Sequence, residues 1–184
     1  MIDKEITIQE KLAYLAGIID GEGHIGVYKT YYKNKTDRYR TRVCVSTTSN
    51  FLIEWLLKEF GGFVKKKKMY SNKHKQGFTW QLSDKDADHV LEMVLPYLVI
   101  KRSQAILYLS YRKLQKTTPK TYPGHSEVNT DLRREIHEYM KSLNSSFSES
   151  VETNTLDFNS LLKKIESELN RNVKRRIGDN LSVG

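Results

Sequence analysis

Asp20 and Glu22, separated by one glycine and followed at once by Gly23, are where this 184-residue chain places its clearest chemistry. They close a run, Leu12 to Ile19, in which almost every residue is apolar. If that run is a helix, Gly21 and Gly23 stop it. The two acids then stand where unpaired helix carbonyls already carry roughly half a negative charge. Carboxylates there deepen the negative potential instead of relieving it. Glu22 with the Gly21 carbonyl makes an oxygen donor set of the kind that holds a hard cation such as Mg2+. A solvated acid in a turn is equally consistent with the residues taken alone.

The element that delivers these acids is also legible. Thr7-Ile8-Gln9-Glu10 has the spacing of a capping box and predicts the helix start. A helix apolar all round is expected to be buried on every side. Ala13 and Gly17 lie four apart, a small-residue strip that another backbone can approach closely.

Charge is concentrated rather than spread. Between Gly23 and Lys75 there are 13 Lys and Arg against 3 Asp and Glu, whereas the whole chain is +9. The rest of the chain is therefore close to neutral, which argues for one face that meets a polyanion. Residues 24 to 46 read as two strands joined by a polar turn at Lys33–Asp37. A helix capped by Ser49 or Asn50 follows and ends at Gly61. A second hairpin covers about 63 to 70 and 77 to 83, with its turn around Ser71–Lys73. A third helix starts at Ser83 or Asp84 and is interrupted by Pro96, and a fourth runs from Lys101 to Lys113. This order predicts an α+β domain with an αββαββα core and helices on one face of an antiparallel sheet.

Alternation assigns the two sheet faces. Arg38, Arg40, Arg42 and Cys44 share one face of the second strand, and Tyr39, Thr41, Val43 and Val45 the other. In the first strand Ile25 and Val27 point to the core, while His24, Gly26, Tyr28, Thr30 and Tyr32 point away. In the fourth, Phe78, Trp80 and Leu82 are expected in the core and Thr79 and Gln81 outside. An open, basic, saddle-like sheet of this kind suits the DNA major groove, which admits antiparallel ribbons. Same-face residues recur every ~6.8 Å, so nine-residue strands span ~30 Å, roughly nine base pairs.

Beyond residue 115 a loop, a helix from Thr130 and a Ser-rich stretch precede an apolar helical pattern from Phe158 to Val173. That pattern reads either as a docked helix or as a mobile basic tail. The expected organisation is a core over 1–115, a helical extension over 116–144, and a linker with a basic amphipathic tail helix over 145–184. Cys44 is the only cysteine. It cannot form an intrachain disulfide, so an intracellular, reducing compartment (cytoplasm or organelle matrix, not secreted) is expected. The apolar run is too short to span a bilayer. No P-loop and no zinc-ligand spacing is present, which argues against NTP- or zinc-dependent chemistry.

The run Leu15-Ala16-Gly17-Ile18-Ile19-Asp20-Gly21-Glu22-Gly23 resembles the signature of the LAGLIDADG homing endonucleases. Gly61-Gly62, Phe78-Thr79-Trp80-Gln81-Leu82 and Leu95-Pro96-Tyr97-Leu98 followed by Ile100-Lys101 are similar to that family too, over about residues 8 to 115. The resemblance implies a divalent-metal-dependent DNA endonuclease with Glu22 as metal ligand and Lys101 as the basic residue beside it. It places Lys65 and Lys67 on the open face, and Thr47 (or Thr48) where the family often has a water-ordering amide. One signature implies a homodimer, with Ala13, Gly17 and Asp20 at the interface and a target of about 20 base pairs, roughly palindromic. Mg2+, or another divalent ion such as Mn2+, is the expected cofactor, and an intron-encoded gene the expected setting. Two alternatives are an RNA maturase on the same fold and a DNA-binding regulator without catalysis.

Overall fold

The computed structural model describes residues 6–30, 38–69, 75–118, 120–121, 125–126, 130–145 and 151–181. They form α1 (Ile8–Glu22), β1 (Gly23–Thr30), β2 (Arg38–Thr47), α2 (Asn50–Phe60), β3 (Phe63–Lys66), β4 (Phe78–Ser83), α3 (Asp84–Val94), a 3-10 turn (Leu95–Tyr97) and α4 (Arg102–Thr117). A two-residue ladder, β5 (Lys120–Thr121) with β6 (His125–Ser126), precedes α5 (Thr130–Ser145) and α6 (Val151–Leu181). The sheet order is β1-β2-β4-β3, with β4 antiparallel to both neighbours. This is the α+β architecture expected. The second hairpin is the shorter, β3 having 4 residues against 10 in β2, so the nine-residue span holds only for the first. Among the described residues no helix is long and apolar enough to cross a membrane.

The chain divides into two compact units, one of Met1–Gly26 and Thr41–Ala105, the other of Val27–Arg40 and Ile106–Gly184. In the first, the capping box forms as read: Thr7 Oγ1 accepts from Glu10 N–H, and the Glu10 carboxylate accepts from Thr7 N–H. Leu12, Leu15, Ala16 and Ile19 of α1 are buried, and α1 packs on α3 and the 3-10 turn. The expectation of burial on every side fails. Ala13, Tyr14, Gly17 and Gly21 are exposed, within about 100° of one another around the helix and opposite the buried stripe. Gly21 also lies inside α1, which runs on to Glu22. The predicted core face of the sheet is right, with Val43, Val45, Trp80 and Leu82 at 1% exposure or less. Gly62 has φ +86°, and a Cβ there would lie 2.6 Å from the Gln81 carbonyl oxygen. The turn into β3 therefore requires a glycine.

In the second unit, α5 buries Leu132, Ile136 and Met140 and packs on α6, which buries Leu161 and Ile165. Tyr139 stacks on Phe158 at 5.8 Å, Lys164 pairs with Glu135 at 2.5 Å, and buried Asn172 donates to Thr118 Oγ1 at 3.1 Å. The tail pattern is thus docked, as α6, against α5, and its helix starts at Val151, inside the stretch read as linker. His137 Nδ1 donates to the Val27 carbonyl at 2.7 Å, and Gln115 donates to the Tyr39 carbonyl at 3.3 Å.

Candidate active site and nucleic-acid interface

Glu22 is the last residue of α1 and Gly23 the first of β1. No loop separates helix from strand. Gly23 caps the helix by donating its N–H to the Ile19 carbonyl, and a Cβ on it would lie 2.6 Å from Ile19 Cα. Only glycine makes this turn, which leaves Glu22 exposed at its corner. Among the described residues no hydrogen bond or ion pair holds the Glu22 carboxylate.

Lys101 answers the negative end of the helix. Its ammonium donates to the Ile19 carbonyl at 3.0 Å and to the Asp20 carbonyl. It is placed there by Asp20, whose carboxylate accepts from Val99 N–H and Lys101 N–H, both at 2.8 Å. Burial depresses the Lys101 pKa, and the negative charges of Asp20 and Glu22 work against that depression. The pKa of His24, two residues after Glu22, is lowered by burial and then by the charges of Lys101 and Arg42, with a backbone hydrogen bond opposing. The cluster is thus an acid, a partly buried ammonium and an imidazole held toward its neutral form. The role of Asp20 was missed in the sequence, where it read as a dimer-interface acid. Its carboxylate is committed to the backbone of the 98–101 segment of its own chain.

Glu22 opens into a cavity of about 710 Å³ lined also by Thr47, Lys67, Lys68, Lys75 and Gly77. Thr47 Oγ1 accepts from Ser49 N–H at 3.1 Å, at the entrance to α2. Its own proton stays available for an oxygen in the cavity. Lys68 and Lys75 were not singled out as site residues, because the lysine run has no alternation and residue 75 lies far along the chain from 22.

The open face of the sheet carries the residues that alternation assigned to it. Register sets Cys44 beside Gln81, Ser46 beside Thr79, and Lys65 beside Thr79. The Ser46 and Thr79 hydroxyls share a hydrogen bond at 3.2 Å. Arg40, Lys65 and Lys67 are exposed, while His24, Tyr28, Thr30, Arg42, Cys44 and Thr79 are half-buried. The Lys65 ammonium lies 5.4 Å from the centre of the Phe63 ring. Two expectations are corrected. Gln81 is only 6% exposed, because β4 is an inner strand and Cys44 and Phe63 flank it on the same face. Gly26 is likewise buried. Tyr32 and the Arg38 side chain lie outside the described residues.

Among the described residues no three His, Cys, Asp or Glu side chains come together as a metal cluster. One chain offers a cation the Glu22 carboxylate and the Gly21 carbonyl, two oxygens where magnesium takes six ligands. The donors are of the right chemistry, and water, phosphate and a second copy of the same pair would have to complete the set.

No protein-family profile and no curated protein matches the sequence. Solved structures do match in fold. The homing endonuclease I-CvuI, in complex with its target in the presence of 2 mM Ca, aligns at TM-score 0.60 and 22% identity over 86% of this chain and 96% of that one. The archaeal intron-encoded homing endonuclease I-Vdi141I, complexed with DNA, aligns at TM-score 0.59 and 13% identity with the same coverages. The LAGLIDADG meganuclease I-CpaMI, bound to uncleaved DNA, aligns at TM-score 0.53 and 14% identity over 82% of this chain but 49% of that one. The fold is that of the LAGLIDADG homing endonucleases, as the signature in α1 implied.

Proposed function

We propose that the protein is a metal-dependent, site-specific DNA endonuclease, acting as a homodimer on a pseudo-palindromic target of about 20 base pairs. The observation that carries this reading is the position of Glu22. It is an unpaired, exposed acid at the joint between α1 and β1, beside a part-buried lysine and open to a basic cavity. DNA lying on the open sheet face would bring a backbone phosphate to that cavity. On this reading Arg40 and Arg42 read base edges, and the neighbouring lysines hold phosphates. Lys101, fixed by the α1 carbonyls, keeps a positive charge where the phosphate gains negative charge. The Thr47 hydroxyl is placed to bind an oxygen of the water or the phosphate. A divalent ion held by Glu22 and the Gly21 carbonyl supplies Lewis acidity and an activated water when bound.

The second copy is supported by the outer face of α1. Among the described residues, a Cβ built at Gly17 or Gly21 meets nothing within 4 Å. None of the described residues thus requires either position to be small, whereas a closely packed helix from another copy would. Two-fold pairing of α1 would bring two Glu22 carboxylates and two helix ends together, a repulsion that bound cations offset. Fold similarity to intron-encoded proteins supports an intron setting for the gene. No specific observation favours the RNA-maturase or regulator readings over this one.

The test is selection from a randomised duplex library with the purified protein in Mg2+ or Mn2+. A double-strand cut within a site of about 20 base pairs with approximate two-fold symmetry is expected. Absence of any cut with either metal would sink the reading.

A further inference from the structure

Three lysines converge on the Glu22 cavity from the loop end of the second hairpin, and neither Glu22 nor Lys101 chemistry needs them. Lys67 and Lys68 follow β3, and Lys75 precedes β4. All three are exposed, and among the described residues Glu22 is the only acid lining that cavity. The two limbs are tied together where the lysines leave them. Lys67 N–H donates to the Gly77 carbonyl at 2.8 Å, one step past the Lys66–Phe78 pair. The Gln76 side-chain amide then donates to the carbonyls of Lys67 and Gly77, both at 2.8 Å. A Cβ at Gly77 would lie 3.2 Å from Lys67 Cδ, so the lysine stem runs tightly over that glycine. Three lysine side chains lining one cavity give it a positive potential that favours the entry of a polyanion.

We propose that Lys67, Lys68 and Lys75 form a clamp on the sugar–phosphate backbone, gripping the phosphodiester next to the one that is cut. Gln76 is the positioning residue that holds both limbs of the clamp. On this assignment Lys67 serves phosphate, not a base edge. The proposal rests on the endonuclease reading for its location relative to the cut, but its binding part is tested without cleavage.

Two measurements separate the clamp from that reading. The first is the salt dependence of binding to a 30-base-pair mixed-sequence duplex. Lys68→Ala and Lys75→Ala should each reduce the slope of log K against log salt by about one, while Lys58→Ala, on the exposed side of α2, leaves it unchanged. The second uses the duplex recovered by library selection, with single methylphosphonates placed around the cut. One neutralised phosphate per strand should slow single-turnover cleavage by wild type about tenfold and add nothing in Lys75→Ala. Gln76→Ala should slow cleavage similarly at saturating protein while keeping the wild-type salt slope, because it removes no charge. Unchanged slopes in both lysine variants would overturn the clamp, even if the wild type cuts. So would methylphosphonate effects that all add to Lys75→Ala. Reduced slopes with a wild type that cuts no duplex would instead sink the nuclease reading and leave the clamp as a backbone-binding site.

Discussion

Asp20 and Lys101 hold one another in place across eighty-one positions of sequence: the carboxylate takes the Lys101 backbone N–H, and the ammonium takes the Asp20 carbonyl. On the proposed reading, the acid acts on the chemistry through the lysine. Asp20→Asn keeps one acceptor oxygen but turns an amide donor toward a backbone N–H. It should destabilise the protein by about 1 kcal/mol, the usual net worth of a hydrogen bond, since Val99 is exposed and the Lys101 N–H only part-buried. The check is a denaturant melt alongside single-turnover cleavage, and Asp20→Asn should lose rate at saturating DNA. An unchanged rate would separate Lys101 placement from Asp20.

The pH dependence follows from the same pair. Burial lowers the Lys101 pKa, and Asp20 and Glu22 raise it. If the lysine acts as a cation, cleavage falls as pH rises through a value below the ordinary lysine range. Asp20→Asn, which keeps Glu22 and removes the larger of the two opposing charges, should move that alkaline limb further down. Lys101→Arg should remove the limb from the accessible range, since guanidinium stays charged. A pH–rate profile in which Lys101→Arg leaves the limb in place would assign it to another group.

Glu22→Gln removes the charge proposed to hold the metal, at the helix–strand joint, without touching the sheet. Cleavage should be abolished, with specific binding kept within about tenfold. Magnesium-dependent cutting by a pure Glu22→Gln sample would take this residue out of the mechanism.

Gly17→Leu separates folding from assembly. The site is open within the chain, so the thermal melt of the monomer unit should not fall, while dimerisation and cleavage are lost. Sedimentation showing a wild-type monomer that cuts both strands would contradict the dimer.

Arg40 is exposed and Arg42 half-buried near His24, so Arg40 is the better placed to reach a guanine. A bidentate contact is worth ~1–3 kcal/mol of discrimination. Arg40→Ala should relax preference at a symmetric pair of target positions, whereas Lys66→Ala or Lys68→Ala should weaken binding to all sequences. Binding profiles over single-base target variants decide this. Uniform weakening by the arginine variant would make the sheet a phosphate-gripping surface only.

Much of the fold was legible because its signals are local. The Thr7–Glu10 box starts α1, and the alternation from Tyr39 to Val45 fixes which face of β2 is buried. What escaped depends on neighbours that local patterns do not contain. Gln81 alternates like an exposed residue, yet sits between Cys44 and Phe63 in an inner strand. The outer stripe of α1 reads as core because it is apolar, and burial by a second copy has the same composition as burial by one's own chain. Lys101 near Glu22, and Lys67 on the open face, came from resemblance. Lys75 came from neither, since strand register, not spacing, brings residues 67 and 75 together.

The missing loop between α1 and β1 has a consequence for how such a chain tolerates change in length. Because Gly23 already touches the backbone of Ile19, one residue added or removed between Ile19 and Ile25 would rotate Glu22 off its corner. It would also invert every side chain of β1, since faces alternate with a period of two. A single codon gained there would thus erase cutting and recognition together. An insertion scan along the gene should find this the stretch of least tolerance, while base-reading residues further along β2 remain exchangeable one at a time.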